Sequence, residues 1–308
     1  LRRMGFDEIF DTSTSADLTV LEEANELQAR IEEGGHDMPL FSSCCPAWVS
    51  YCEKKYPELL PNVSTCRSPM QMFASVIREQ NKLSSRRHTH VAIMPCTAKK
   101  FEAVRDEFKV DGLPNVDYVL TTQELVRMIK ESNLVFDELQ PEAVDMPFGT
   151  MTGAGVIFGV TGGVTEAVLR RLADDKSSAA LMSIAYTGVR GMEGVKEARV
   201  MVGDREVRIG VVSGLKNAST LIERIKAGEH FDFVEVMACP GGCVNGGGQP
   251  FAHRAEKAKR GGGLYAADKL CSIKRSEENP LMMSLYSGIL KGRVHELLHV
   301  HYHAGEEK

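Results

Sequence analysis

Apolar residues alternate between two spacings along the chain. Val20, Leu21, Ala24, Leu27 and Ile31 recur at helical intervals within residues 16–33 and stop at Gly34-Gly35, which predicts an amphipathic helix. Short apolar runs at His90 to Met94, Val116 to Leu120, Val207 to Val212 and Phe231 to Met237 predict strands. A capping box, Thr121 with Glu124, opens a helix to about Ser132, and Lys216 to Ala227 reads as a helix stopped by Gly228. Trp48, Cys52 and Tyr56 share one helical face and are expected in the core. Strands alternating with helices predict an α/β class with largely parallel sheets. Loops at strand carboxyl ends are then the place to look for chemistry.

Two strand ends echo each other. Val91-x-Ile93-Met94-x-Cys96 and Val234-x-Val236-Met237-x-Cys239 both run from an apolar strand through Met and a spacer to Cys. The echo suggests two lobes, each delivering a thiolate from a strand end to a shared cleft.

Composition narrows the class. An apolar fraction of 43% with 26% charged residues over 308 positions is that of a globular chain with a sizeable core. The net charge of −5, with no basic block, argues against nucleic acid and anionic membrane as partners. No apolar run is long enough for membrane insertion; the longest, Gly153 to Val164, is glycine-interrupted and reads as buried core. The chain opens Leu1-Arg2-Arg3-Met4-Gly5, without an initiator Met or a signal-like apolar run. That start resembles the tail of a helix, so an upstream portion is expected. A cytoplasmic location is the reading, with a periplasmic one open.

The eight cysteines are unevenly placed, with Cys44-Cys45 adjacent, Cys239 and Cys243 flanking Pro-Gly-Gly, and Cys96 alone after Met94-Pro95. This does not resemble a small secreted disulfide scaffold. Pro46 suits the first turn of a helix whose N-terminus would favour a thiolate at Cys45. Gly241 and Gly242 would let backbone pass close to a bulky inorganic group and present N–H groups to sulfur. Thiolates select zinc, Cu(I) or iron–sulfur clusters, and the paired Cys-x-x-Cys knuckles of structural zinc are absent. Cys-Pro-Gly-Gly-Cys alone also suits a tight structural turn. Three cysteine motifs together point to an iron–sulfur-type cluster on Cys45, Cys96, Cys239 and Cys243.

The segments Ser42 to Trp48, Met94 to Glu102 and Glu235 to Pro250 resemble the three signature motifs of the iron-only (FeFe) hydrogenase catalytic domain. Gly153 to Gly159 and Leu297 to Tyr302 extend the resemblance over nearly the whole chain. The resemblance implies one H-cluster domain over residues 1–308, its beginning missing and with no ferredoxin-like accessory domain, folded as two lobes of mainly parallel β-sheet flanked by helices with the metal cluster in the cleft between them. It implies a 4Fe–4S cubane on Cys45, Cys96, Cys239 and Cys243, with Cys243 bridging to a two-iron subcluster carrying CO, cyanide and a bridging dithiolate. Lys99 would bond a cyanide ligand, and Met94, Met237, Phe158 and Pro69 would surround the iron pair. Cys44, free of metal, would pass protons, its ordinary thiol pKa of about 8.5 suiting exchange near neutrality.

Glu23, Glu26 and Arg30 share one helical stripe. Alone they read as a solvated face with a Glu26–Arg30 pair of about 0.3–0.5 kcal/mol. The resemblance instead places them, with Ser64, in a proton relay to Cys44. It also implies H2 and protons as substrates, ferredoxin or iron–sulfur subunits as electron partners, and maturation proteins. A non-catalytic iron–sulfur assembly relative and an H2-sensing hydrogenase are the alternatives. Met70 departs from the commoner Gln. The terminal His295, His299, His301 and His303 read as a helix end and tail rather than a second metal site, and Cys52, Cys66 and Cys271 as small core residues.

Overall fold

The computed structural model describes residues 1–110, 112–173, 175, 177, 179, 183–184, 189–190 and 194–304. In chain order it contains α1 (Ser13–Glu33), β1 (Leu40–Phe41), α2 (Pro46–Lys55), α3 (Pro69–Gln80), β2 (Val91–Met94), α4 (Ala98–Ala103), β3 (Lys109–Val110), β4 (Leu113–Pro114), β5 (Tyr118–Thr121), α5 (Thr122–Glu131), α6 (Gly153–Val156), α7 (Gly163–Leu172), β6 (Val195–Val202), β7 (Arg205–Ser213), α8 (Leu215–Lys226), β8 (Phe233–Met237), α9 (Arg254–Leu270), α10 (Pro280–Ser287) and α11 (Val294–Leu298). The α/β class expected from the pattern is observed, with helices flanking largely parallel sheets.

One sheet has four strands in the order β1-β8-β7-β6, and a second pairs β2 with β5 in parallel. The pairings β1–β8 and β7–β8 are parallel, while β6 joins β7 as an antiparallel hairpin. Strand β8 is buried along its whole length, as a central strand covered on both faces must be. The strand β6 was not anticipated, because its mixed run Val195–Val202 is half-exposed at a sheet edge and lacks a continuous apolar signal. The predicted capping box at Thr121 and Glu124 is formed, with Glu124 Oε2 accepting from the Thr121 N–H at 2.7 Å.

Helix α1 is the pivot of the structure, packed by α3, α6 and α7. Its apolar stripe is buried from Val20 to Leu27, with Ile31 partly buried, and Asp17, Glu22 and Glu23 are buried too. An amphipathic helix on a surface would show none of these acids to the core. Burial on several sides creates a polar interior that needs partners. Trp48, Cys52 and Tyr56 lie together in the main core, and Cys66 is fully buried in a second cluster around Met72 and Leu298. Cys271 departs from the core reading: it caps the end of α9 and is only half-buried.

Candidate metal centre

The echoed strands β2 and β8 both end in methionine, in different sheets, and both point their following loops into one cavity of about 460 Å³. Cys45, Cys96, Cys239 and Cys243 line it together with Cys44, Lys99, Met94, Met237, Phe158, Pro69 and Met70. Every residue expected near a metal group therefore meets in one place. Cys45 is the N-cap of α2 with Pro46 in the first turn, as the local sequence dictates. No disulfide competes for these thiols; all eight cysteines are free.

Close backbone contact holds the cysteine loops together. Gly248 donates to Pro95 O at 3.0 Å, and a Cβ on Gly248 would lie 2.8 Å from Cys96 N. On Gly242 a Cβ would lie 2.6 Å from Thr161 N. Gly241 and Gly242 adopt φ of 84° and 93°, a left-handed region that glycine alone enters without strain.

The donor set fits an iron–sulfur group. Burial pushes up the thiols of Cys45, Cys239 and Cys243, and their mutual repulsion adds to the effect. The backbone N–H groups of Ala238 and Trp48 favour thiolate at Cys45, as that of Gly247 does at Cys239. Among the described residues lining the cavity, Lys99 supplies an ammonium, and it is matched by Glu102 at 2.8 Å. Four thiolates gathered here call for a bound cation, and soft sulfur ligands in such a site suit iron–sulfur clusters.

Lys99 is buried, with two of its three donors spent on Glu102 Oε2 and on Cys44 O at 3.4 Å. Glu102, which sequence reasoning left without a role, also accepts from Ser68 Oγ at 3.0 Å. Burial lowers the Lys99 ammonium, yet Glu102 outweighs it and the net direction is up, so Lys99 stays charged. Cys44 corrects the expectation of an ordinary thiol: burial and then the Glu23 charge push it well above the usual range.

Behind Cys44 lies the acidic stripe of α1. Glu23 is fully buried, and burial followed by the charge of Glu26 pushes its carboxyl up to about 8. Neither of its oxygens has a well-formed hydrogen bond, although the Ser43 N–H and Ser64 hydroxyl lean toward its charged form. Glu26 is opposite in character. Burial raises its carboxyl, but hydrogen bonds involving His299, Ser64 and Thr65 outweigh that and hold it below the usual carboxylate range. Thr65 N–H donates to Glu26 Oε1 at 3.0 Å.

The Glu26–Arg30 ion pair is not formed. Arg30 instead donates to Met38 O at 2.8 Å and Asn62 Oδ1 at 3.1 Å, at the outer end of the stripe. The structure brings Glu23, Glu26 and Ser64 together and leaves Arg30 alongside. His299, assigned by sequence to a terminal tail, is buried against Glu22 and Thr65. Its place is set by a β-bridge to Cys66, a long-range pairing with no local signature. Glu26, Cys66 and His299 bring one donor atom each within 4.8 Å of the others, but existing hydrogen bonds already occupy the imidazole and the Glu26 carboxylate.

Fold and site together define an α/β protein that presents cysteine thiolates from two sheets to an iron–sulfur cofactor. The family model described as iron only hydrogenase large subunit, C-terminal domain, matches residues 1–247, and that described as iron hydrogenase small subunit matches residues 254–305. The chain belongs to the iron-only hydrogenase family. It is 44% identical over 98% of its length to the NADP-reducing hydrogenase subunit HndD of Solidesulfovibrio fructosivorans, covering 54% of that protein. It is 42% identical over 98% of its length to iron hydrogenase 1 of Clostridium pasteurianum, covering 55% of it. The chain thus spans about half the length of these relatives. Its fold matches an apo form of the FeFe-hydrogenase HydA1 from Chlamydomonas reinhardtii with a TM-score of 0.82 and 38% identity, over 99% of this chain and 86% of that one. Cytosolic iron–sulfur assembly proteins are more distant, at 28–32% identity. Among the described residues no helix is long and apolar enough to cross a membrane.

Proposed function

We propose that residues 1–308 act as one catalytic domain that reversibly interconverts two protons and two electrons with H2. In this reading Cys45, Cys96, Cys239 and Cys243 would hold a 4Fe–4S cubane, and Cys243 would also carry a two-iron subcluster with CO, cyanide and a bridging dithiolate. When bound, that group supplies electrons and an open iron site at which protons and H2 interconvert. The carrying observation is one cavity that joins the four cysteines to a fifth, Cys44, and to Lys99, and extends to Pro69, Met70 and Phe158.

The protein's own residues handle the rest. Met94, Met237, Phe158 and Pro69 keep water from the pocket, and Lys99 offers its remaining N–H to an anionic ligand. Cys44 holds a proton at the cavity wall. Glu23 holds one behind it, and Glu26 with Ser64 receives protons from the side of Arg30. Environments that drive two neighbouring acids apart in proton affinity mark them as a donor–acceptor pair. Electrons would come from ferredoxin or an iron–sulfur subunit, maturation proteins would install the cluster, and a cytoplasmic location suits the reading.

Cys44, Lys99 and the acidic stripe favour this over a cubane-only assembly role, which needs none of them. Infrared spectra of the matured protein should contain CO and cyanide stretching bands; their absence would sink the catalytic reading. Cys44→Ala and Glu26→Gln should keep those bands and lose nearly all H2 turnover. Unchanged turnover in both variants would remove the relay, and a very low rate in the unaltered protein would favour an H2-sensing role.

A further inference from the structure

The hydrogen bonds around His299 determine its charge. Thr65 Oγ1 has one hydrogen, and it goes to Glu26 Oε1. The same oxygen lies 2.7 Å from His299 Nδ1, so that contact requires an N–H on Nδ1. On the other side, Nε2 lies 3.0 Å from Glu22 Oε2, while Glu22 Oε1 accepts from the Tyr286 hydroxyl. A carboxylate there accepts only, so Nε2 carries hydrogen as well. Both ring nitrogens are then donors, and the ring is an imidazolium between two carboxylates.

We propose that His299 is a positioning residue of the proton route, an imidazolium clamp that holds Glu26 ionised and fixed through Thr65 while Glu23 keeps its proton. The clamp deepens the proton-route reading above and rests on it. The backbone builds it firmly. Cys66 and His299 form a β-bridge, Arg67 N donates to Leu298 O at 2.8 Å, and Val300 N donates to Thr65 O at 2.7 Å. The C-terminal strap is thereby laced to the segment carrying Ser64 and Thr65.

Groups around the ring come from several elements: Glu22 and Glu26 from α1, Cys66 beside Thr65, Tyr286 of α10 through Glu22, and the tilted His295 ring with its centroid 4.6 Å away. Arg67 donates to the His299 carbonyl at 2.9 Å. Burial lowers the ring's proton affinity, but Glu22 and Glu26 outweigh it and push His299 up to about 9. The imidazolium therefore persists across neutral pH and is lost as pH rises through about 9. Without it Glu26 loses a counter-charge, takes up a proton more readily, and no longer raises Glu23. The difference that moves a proton inward shrinks.

The test needs no metal cluster. In cluster-free protein labelled with ¹⁵N-histidine, one of the nine imidazoles should stay doubly protonated at about pH 8 and vanish in His299→Asn. That variant should also gain a protonated-carboxyl infrared band at neutral pH that Glu26→Gln removes and His299→Lys suppresses. In loaded enzyme, His299→Asn should lower kcat about tenfold, the equivalent of one pKa unit, with KM for the electron donor unchanged and partial recovery in His299→Lys. All nine imidazoles titrating in the ordinary range, or no new carboxyl band, overturns the clamp while leaving the hydrogenase reading intact. CO and cyanide bands missing from a protein whose imidazolium is present would sink the hydrogenase reading alone.

Discussion

Gly248 offers a direct test of how the proposed iron–sulfur ligands are held. Its backbone φ is ordinary, so alanine meets no conformational strain there. The obstacle is space: a Cβ would sit 2.8 Å from Cys96 N, 2.9 Å from Pro95 C and 2.9 Å from Thr121 Cγ2. Relaxed contacts between such atoms begin near 3.4–3.5 Å, so the two loops must part by roughly 0.6 Å. Overpacking of this kind costs about 1–3 kcal/mol, which a domain of this size can survive. A metal site is less forgiving, since ligand distances are held to about 0.2 Å. Gly248→Ala should therefore fold and melt cooperatively when cluster-free, yet retain much less iron and sulfide per chain after reconstitution. Gly247→Ala is the control, because its Cβ would meet only Thr97 Oγ1 at 3.5 Å. Full iron retention in Gly248→Ala, or equal loss in Gly247→Ala, would refute the reasoning.

Two further predictions concern buried charge. Glu23, pushed up to about 8 in the folded protein, binds a proton there that the unfolded chain releases near 4.5. Stability of the cluster-free protein should thus fall as pH rises from about 4.5 to about 8, by at most ~1.4 kcal/mol per pH unit, and Glu23→Gln should flatten that slope in urea unfolding. Asp268 accepts from Arg170 Nη1 at 2.9 Å and Nη2 at 2.7 Å, both side chains being buried. Asp268→Ala leaves Arg170 with less compensation and should cost about 3–5 kcal/mol, read as a lowered denaturation midpoint at unchanged slope.

What the sequence revealed was local. Cys45 before Pro46, the glycines flanking Cys243, and the Met-x-Cys strand ends each carry their physical reason within a few residues, and the structure assembles them as expected. The helical period of α1 was visible too, but its meaning was not. Glu23 and Glu26 share a stripe whether it faces water or protein, and only packing by α3, α6 and α7 turns that stripe inward. His299 was invisible for a related reason. Its proposed role rests on contacts with Thr65 and Glu22, separated from it by more than two hundred residues, and a tail with four histidines has no period that reports such a bridge.

The C-terminal segment shows how polar anchoring joins what two family models divide. The large-subunit match ends at residue 247 and the small-subunit match begins at 254, yet the fold does not separate there. Asp17 of α1 accepts from Ser276 Oγ at 2.8 Å and Asn279 Nδ2 at 2.9 Å. Arg170 of α7 holds Asp268 of α9, and Glu22 of α1 meets both Tyr286 and His299. These anchors are buried, so a segment docked through them must fit in one register or leave acids unpaired in the interior. Apolar contacts alone, such as Met282 and Leu298 against Met72, would tolerate sliding. Registration matters because the same segment delivers His299 to Thr65 and Glu26. The acids that make α1 unusual thus fix the strap and, in the proposed reading, tune the proton line with one set of buried charges.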